Sequence, residues 1–259
     1  DKYKKILDDH GIAWEEGHHT EAKILNADEV IKSPGIPKEA PLVQKLMAQG
    51  THIISEIEFA GRYTHAKMIC ITGSNGKTTT TKMIVQLLRE QGLKVFTNRT
   101  GSNFVRGVLA SLLTEVDAAG NLDADIAVLE LDEAHAVHFV ARVRPRACLL
   151  LNVMRDQLDR FGEIDYTASL LHSIAQATSD VVVLNGDDPR LAAPAFLEGV
   201  SARVVSFGAG EDLRSLFLSD DDLRTGMVSP RQAGQAPGPR VTLEAIDGQR
   251  ATVRVDGVS

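Results

Sequence analysis

At 259 residues and 28.0 kDa the chain has room for one large domain or two modest ones. Its 43% hydrophobic and 24% charged residues give an ordinary globular balance, and a net charge of −7 argues against a nucleic-acid phosphate surface as partner. No apolar run approaches the roughly 20 residues that span a bilayer, and the start DKYKKILDDHG has no signal-peptide character. Cys70 and Cys148 are too few for a disulfide scaffold or a four-thiolate zinc site, and both read as buried structural thiols. These bounds predict a soluble, cytoplasmic α/β protein.

In chain order, YKKILDDHGI reads as a helix closed by Gly11, and ADEVIKSPGIP as a short strand running into a Pro/Gly turn. Pro41 to Gly50 reads as an amphipathic helix, and THIISEIEFAGRY as a short strand followed by a turn. This first segment is too short for a complete doubly wound domain and is expected to be truncated at its N-terminal side. KMICITGSNGKTTTTKMIVQLLREQG then gives an apolar strand, a glycine turn and a helix. Further strands are predicted at LKVFTN, DIAVLEL, ACLLLNV, DVVVLN and ARVVSFG, with helical patterns between most of them. Val/Leu-rich runs without alternation predict parallel strands buried on both faces. SPRQAGQAPGPR reads as a loop, and VTLEAI–DGQ–RATVRV as a β-hairpin.

Composition breaks along the chain. Residues 1–95 hold 11 Lys and 2 Arg, whereas residues 96–259 hold 15 Arg and no Lys. Isoleucine falls from 11 to 4 across the same point, and the charge balance moves from +1 to −8. A basic lobe facing an anionic ligand would produce the charge change. A joining of two source genes, with its seam between residues 60 and 100, would produce the Lys/Arg and Ile changes together.

The strongest motif is Gly73-Ser74-Asn75-Gly76-Lys77-Thr78, set between a strand and a helix as a phosphate loop must be. Glycines admit the backbone angles that turn successive N–H groups towards one anion, and the helix N-terminus adds partial positive charge. Lys77 is placed to reach the β/γ-phosphates and the Thr78 hydroxyl to hold Mg²⁺, with Thr79 following. Two residues separate the glycines instead of the usual four. The run of threonines entering a helix is a poor helix former, tolerable where hydroxyls are needed.

ICITGSNGKTTTT resembles the ATP loop of the Mur ligases, ATP-dependent amide-forming enzymes of peptidoglycan synthesis. Two branches of that family are represented. Residues 1 to about 81, with VIKSPGIPKEAPLV and HIISEIEFAG, resemble UDP-N-acetylmuramoyl-L-alanine:D-glutamate ligases. Residues from about 82, with FTNRTGSNFVRGVLASLL, LELDEAHAV and LNVMRDQLDRFGEID, resemble the Mur-ligase-like subunit of lipid II isoglutaminyl synthase. The resemblance implies an α/β fold: a P-loop-type central domain with a mostly parallel sheet, preceded by a partial Rossmann-like domain. It divides the chain into a truncated nucleotide-sugar-binding domain over 1–65, an ATP-binding domain over 66–215, and a loop and hairpin over 216–259. The family's C-terminal ligase domain is expected to be absent, so the isolated chain is expected to bind Mg-ATP weakly and turn over poorly.

By the same resemblance, Glu130, at the end of a buried strand, is a Mg²⁺ carboxylate beside the γ-phosphate, and Lys77 and Glu130 are the catalytic pair. Glu133 is the next acid to consider. Gly73, Ser74, Asn75, Gly76, Lys77, Thr78 and Thr79 would hold the nucleotide phosphates, and Asn185 and Asp188 of NGDDP its adenine side. A strand-ending Asn-Gly turn is the simpler alternative at Asn185. Ser33 and Gly35, around Pro34, and Asn103 would meet substrate, although Ser33-Pro34-Gly35 is also an ordinary turn. Asn152 and the run Asp156-Gln157-Leu158-Asp159-Arg160 follow another strand. Gln157 stands where many Mur ligases carry a metal-binding His and is a weak ligand, while Asp156 and Asp159 read as site residues or helix caps. His18 and His19 read as solvated, and His135 and His138 as structural.

The implied chemistry is activation of a carboxylate as an acyl phosphate, followed by attack of an amine, with ATP and Mg²⁺ as cofactors. The first expectation is the isoglutaminyl synthase subunit, amidating D-glutamate of the lipid II stem peptide with a glutamine amidotransferase subunit as partner. The alternative is the D-glutamate ligase acting on UDP-MurNAc-L-alanine, so the peptidoglycan precursor bound is lipid II or a UDP-MurNAc-peptide. A non-catalytic nucleotide-binding fragment and a folylpolyglutamate synthase remain the other classes.

Overall fold

The computed structural model describes residues 2–33, 35–62, 64–98, 103–117, 121–155, 164–228 and 240–255. Pro34, the run Asp156–Arg160 and residues 229–239 of the predicted loop therefore lie outside the described residues. The chain forms two compact units, Asp1–Phe59 and Ala60–Ser259.

In the first unit, α1 (Lys2–Asp9) ends where Gly11 takes a left-handed φ of 65°, and Ile12 N–H donates back to Leu7 O at 2.8 Å. A short helix α2 (Glu21–Leu25), absent from the sequence reading, precedes β1 (Glu29–Lys32). Helix α3 (Pro41–Ala48) opens on proline and buries Val43 and Leu46. Strand β2 (His52–Ser55) pairs parallel to β1, Val30 opposite Ile53. The turn expected after it is a helix, α4 (Glu56–Gly61). Its signal was in the sequence: Ser55 stands three residues before Glu58, and its hydroxyl accepts the Glu58 N–H at 3.2 Å.

The second unit is built on an eight-stranded sheet of β3 (Lys67–Thr72), β4 (Val95–Thr97), β5 (Ile126–Glu130), β6 (Ala147–Leu150), β7 (Val181–Asn185), β8 (Arg203–Ala209), β9 (Arg240–Asp247) and β10 (Arg250–Val255). Its order is β10-β9-β8-β7-β6-β3-β5-β4, parallel throughout except for the β9–β10 hairpin. Strand β9 pairs parallel to β8, so the predicted hairpin extends this sheet. The remaining α-helices among the described residues are α5 (Lys77–Glu90), α6 (Val105–Leu112), α7 (Glu133–Val140), α8 (Ile164–Ala177) and α9 (Asp220–Thr225).

Helix α5 packs on β3, β4 and β5, its Val85 joining Ile71, Val95 and Val128 in one apolar cluster. Helix α8 buries Leu170, Leu171 and Ile174, and packs on β6 and α7. The uniform Val/Leu runs predicted equal burial on both faces; β6 and β7 instead alternate between buried and half-buried residues. Continuous burial is found at the ends of β3 and β5, under the site. Cys70 and Cys148 lie side by side in the register of β3 and β6, unbonded and buried, and burial pushes the Cys148 thiol up to about 12 and raises Cys70 as well.

Candidate functional site

Strand β3 lies inside the sheet between β5 and β6, so its C-terminal loop emerges with the loops after both neighbours around it. That loop is Gly73–Gly76. Gly73 has a φ of 133°, and a Cβ there would stand 2.9 Å from the Asn152 backbone nitrogen and 3.0 Å from Leu151 Cβ. Glycine is required by the angle and by the space together. The loop is stitched to the end of β6: Ser74 N–H donates to Asn152 O (3.0 Å) and Asn75 N–H to the Asn152 side-chain oxygen (2.8 Å). Met154 N–H donates to the Ser74 hydroxyl (2.9 Å). Asn152, singled out by its place after a strand, thus fixes the loop's outer wall.

Gly76 takes a left-handed φ of 82° as the residue before α5, whose first turn has no side-chain cap and no acidic residue. An uncapped, unopposed helix N-terminus at the end of a glycine loop suits an anion. Lys77 is the first residue of α5 and is buried. Its ammonium donates to the Gly73 and Ser74 carbonyls and faces Glu133 Oε2 at 3.5 Å. Thr78 donates its hydroxyl proton to Glu130 Oε1 at 2.9 Å, joining the two residues assigned to Mg²⁺. Thr79 is exposed on the same turn.

Glu130 ends β5 opposite Ile71 of β3 and is nearly buried. Its backbone is bracketed by the Asn98 side chain, which accepts the Glu130 N–H and donates to the Glu130 O, both at 2.9 Å. Asn98 was not among the predicted site residues; the available signal was an amide residue closing the LKVFTN strand. Glu133, in the first turn of α7, is fully buried, with Oε2 towards Lys77 and Oε1 without a hydrogen-bond partner. Burial raises its pKa against the lowering pull of Lys77. Asn103 comes to the same edge through its carbonyl, which accepts the Asp132 N–H at 3.0 Å. His135 is half-buried, 3.1 Å from Asp132 and packed against Phe104, the ring centroids 4.2 Å apart and the planes tilted by 34°.

The NGDDP turn at the end of β7 is held by bonds within the protein. Asn185 Oδ1 accepts the Asp187 N–H at 2.9 Å, the local turn that was the simpler reading. Asp188 is buried; one oxygen accepts from Val153 N–H (2.7 Å), the other from Arg190 (2.9 Å) and Leu191 (3.3 Å). With both oxygens engaged by backbone N–H groups, Asp188 ties the β6 and β7 loops together. Burial raises its pKa despite these bonds. In the first unit the Ser33 carbonyl accepts from Ile36 N–H (3.0 Å) and from the Lys32 ammonium (3.2 Å), an ordinary turn closed over by a lysine. No group of three or more His, Cys, Asp or Glu residues that could hold a metal occurs among the described residues. A cation at Thr78 and Glu130 would therefore need ligands from nucleotide and water. The donor set itself, one hydroxyl and one carboxylate, suits a hard divalent cation.

Sheet, glycine loop and buried lysine together define an α/β protein of the phosphate-loop type. The profile of the Mur ligase middle domain matches residues 71–236, and the chain belongs to the Mur ligase family. It is 41% identical over 240 residues to a UDP-N-acetylmuramoylalanine--D-glutamate ligase of Bacteroides thetaiotaomicron, covering 86% of this chain and 49% of that protein. It is 40% identical over 192 residues to the protein of the same name from Porphyromonas gingivalis W83, covering 73% of this chain and 40% of that one. The chain thus spans about half the length of the curated relatives it matches. A match over 86% of the chain necessarily runs across residues 60–100, where composition breaks. Among solved structures, a murein peptide ligase from Psychrobacter arcticus superposes with a TM-score of 0.54 at 18% identity, over 97% of this chain and 50% of that one. MurF from Acinetobacter baumannii gives 0.51 at 20% identity, over 70% and 44%. At these identities the structures speak for the fold. No helix among the described residues is long and apolar enough to cross a membrane.

Proposed function

We propose that this chain is the ATP-handling part of a cytoplasmic UDP-N-acetylmuramoyl-L-alanine:D-glutamate ligase. The observation that carries the ATP reading is the joined set of Lys77, the Gly73–Gly76 loop and the Thr78–Glu130 pair at 2.9 Å. The substrate reading rests on the names of relatives about 40% identical over most of the chain, which favour D-glutamate addition over amidation of lipid II. The amidotransferase partner belonged to the amidation reading and is not carried forward.

In this reading the N–H groups at the uncapped start of α5 hold the phosphates, and Lys77 turns its ammonium to the β/γ oxygens. Mg²⁺, when bound, neutralises charge on the transferring phosphoryl group. Thr78 and Glu130 would hold it, and Asn98 keeps the Glu130 backbone in register. The muramoyl-alanine carboxylate attacks the γ-phosphorus, ADP leaves, and the D-glutamate amine displaces phosphate from the acyl phosphate.

The test is phosphate release from Mg-ATP by the chain with either substrate set. Slow release that requires both UDP-MurNAc-L-alanine and D-glutamate is expected. Release that requires lipid II and ammonia instead would return the amidation reading, and nucleotide binding with no release under either condition would favour a non-catalytic fragment.

A further inference from the structure

We infer that Glu133 is a positioning residue that holds Lys77 back from the phosphates, so that nucleotide must compete with a buried carboxylate for the loop lysine. The inference rests on the nucleotide reading of the loop. Three acceptors surround the Lys77 ammonium: the Gly73 carbonyl, the Ser74 carbonyl at 3.2 Å and Glu133 Oε2 at 3.5 Å. The two carbonyls belong to the loop that would bind phosphate and can stay with the lysine. Glu133 cannot serve in the same way, because it brings a negative charge to a place meant for a polyanion.

Its surroundings make that charge count. Glu133 is fully buried, Lys77 is 8% exposed, and Oε1 is a buried acceptor without a partner. A half-satisfied buried carboxylate is a costly arrangement, and its compensation is the adjacent ammonium and the N-terminal turn of α7. When Lys77 turns to a phosphate, that compensation weakens just as negative charge arrives. Glu133 thus raises the free energy of the nucleotide-bound state relative to the empty one. A divalent cation arriving with the nucleotide offsets the same charge, so the penalty is larger for metal-free nucleotide. The carboxylate then acts as a discriminator between Mg-ATP and bare ATP, 56 residues from the lysine it restrains.

Glu133→Gln keeps the shape and removes the charge. Calorimetric titration of the whole chain with ATP in EDTA is expected to show binding about tenfold tighter in Glu133→Gln than in the unaltered chain. With excess Mg²⁺ the gain should shrink to about twofold or less. A purely structural ion pair predicts the opposite sign, since loss of the carboxylate would loosen Lys77 and weaken both. Unchanged or weaker metal-free binding in a variant with an unchanged melting temperature overturns the inference. So does an equal gain with and without Mg²⁺. An unaltered chain that binds neither ATP nor ADP fails the nucleotide reading and the inference with it, whereas binding that Glu133→Gln does not tighten fails the inference alone. Should the variant not fold, the isotope-labelled Glu133 carboxyl resonance of the unaltered chain decides. It should move when ADP is added, and a resonance that stays in place is the contrary result.

Discussion

Two loops leave the same edge of one sheet, and both are written in the same turn chemistry: Gly73-Ser74-Asn75-Gly76 after β3, and Asn185-Gly186-Asp187-Asp188 after β7. After β3 the side chains of Ser74 and Asn152 lock the outside of the loop, while the Lys77 ammonium, the Thr78 hydroxyl and the helix N-terminus converge on its inside. After β7 the polar groups turn into the protein. Asp187 accepts from Ala209 N–H at 2.6 Å and pairs with Arg240 at 2.8 Å, and Asp188 is held by three backbone N–H groups. What separates the two turns is the direction in which their polar groups face. Gly, Asn and Asp at a strand end leave that direction open until the neighbouring strands are placed.

The largest effect should come from closing the space the first loop needs. Gly73→Ala puts a methyl 2.9 Å from the Asn152 backbone and forces a non-glycine residue to a φ of 133°. Overpacking and left-handed strain together are expected to cost about 4 kcal/mol, read as a lower melting temperature, with loss of nucleotide binding. A variant as stable as the parent would mean that the β6 end can retreat.

The second loop should respond in stability alone. Asp188→Asn places an amide NH₂ against backbone N–H donors and should cost about 2 kcal/mol by denaturant titration. ATP affinity of the folded variant should stay within about twofold. A large loss of affinity at unchanged stability would make Asp188 a nucleotide contact and erase the contrast. Asn185→Ala, which removes one turn bond to Asp187, should cost about 1 kcal/mol or less.

The smallest effect is one of pH. Burial holds the Asp188 pKa above its ordinary value, so the folded state keeps a proton that the unfolded chain has already released. Between the two values stability falls as pH rises, and it recovers as pH is lowered through them. The difference in melting temperature between the chain and Asp188→Asn should follow that slope; a flat difference across the carboxylate range would mean that hydrogen bonding offsets burial.

The strand–loop–helix of residues 67–92 was legible because each local choice agreed with the next: apolar run, glycines, lysine, threonines, amphipathic spacing. Glu130 was legible as an acid at a strand end. The reading stopped at partners supplied from far along the chain. Glu133 faces Lys77 across 56 residues, Asn98 brackets Glu130 across 32, and Asn152 walls the loop from 77 residues beyond Asn75. No periodicity or spacing encodes such pairs, because they exist only after β5 and β6 settle on either side of β3. Helix α4 is different: the Ser55–Glu58 cap is local and visible in the sequence, beside glycine signals that point to a turn. Asp188 is hard to read for a physical reason too, since an acid after a strand looks the same whether its carboxylate meets a ligand or three backbone N–H groups.

If the Gly73–Thr78 loop binds nucleotide phosphate, it does so through Lys77. The decisive experiment is calorimetric titration of Mg-ATP into the chain and into Lys77→Met, each checked for folding. Measurable binding by the chain is expected, with an affinity at least about 100-fold lower in the variant, the scale of a lost charge-assisted contact to phosphate. Equal affinities in the two folded proteins would remove the loop lysine from nucleotide binding.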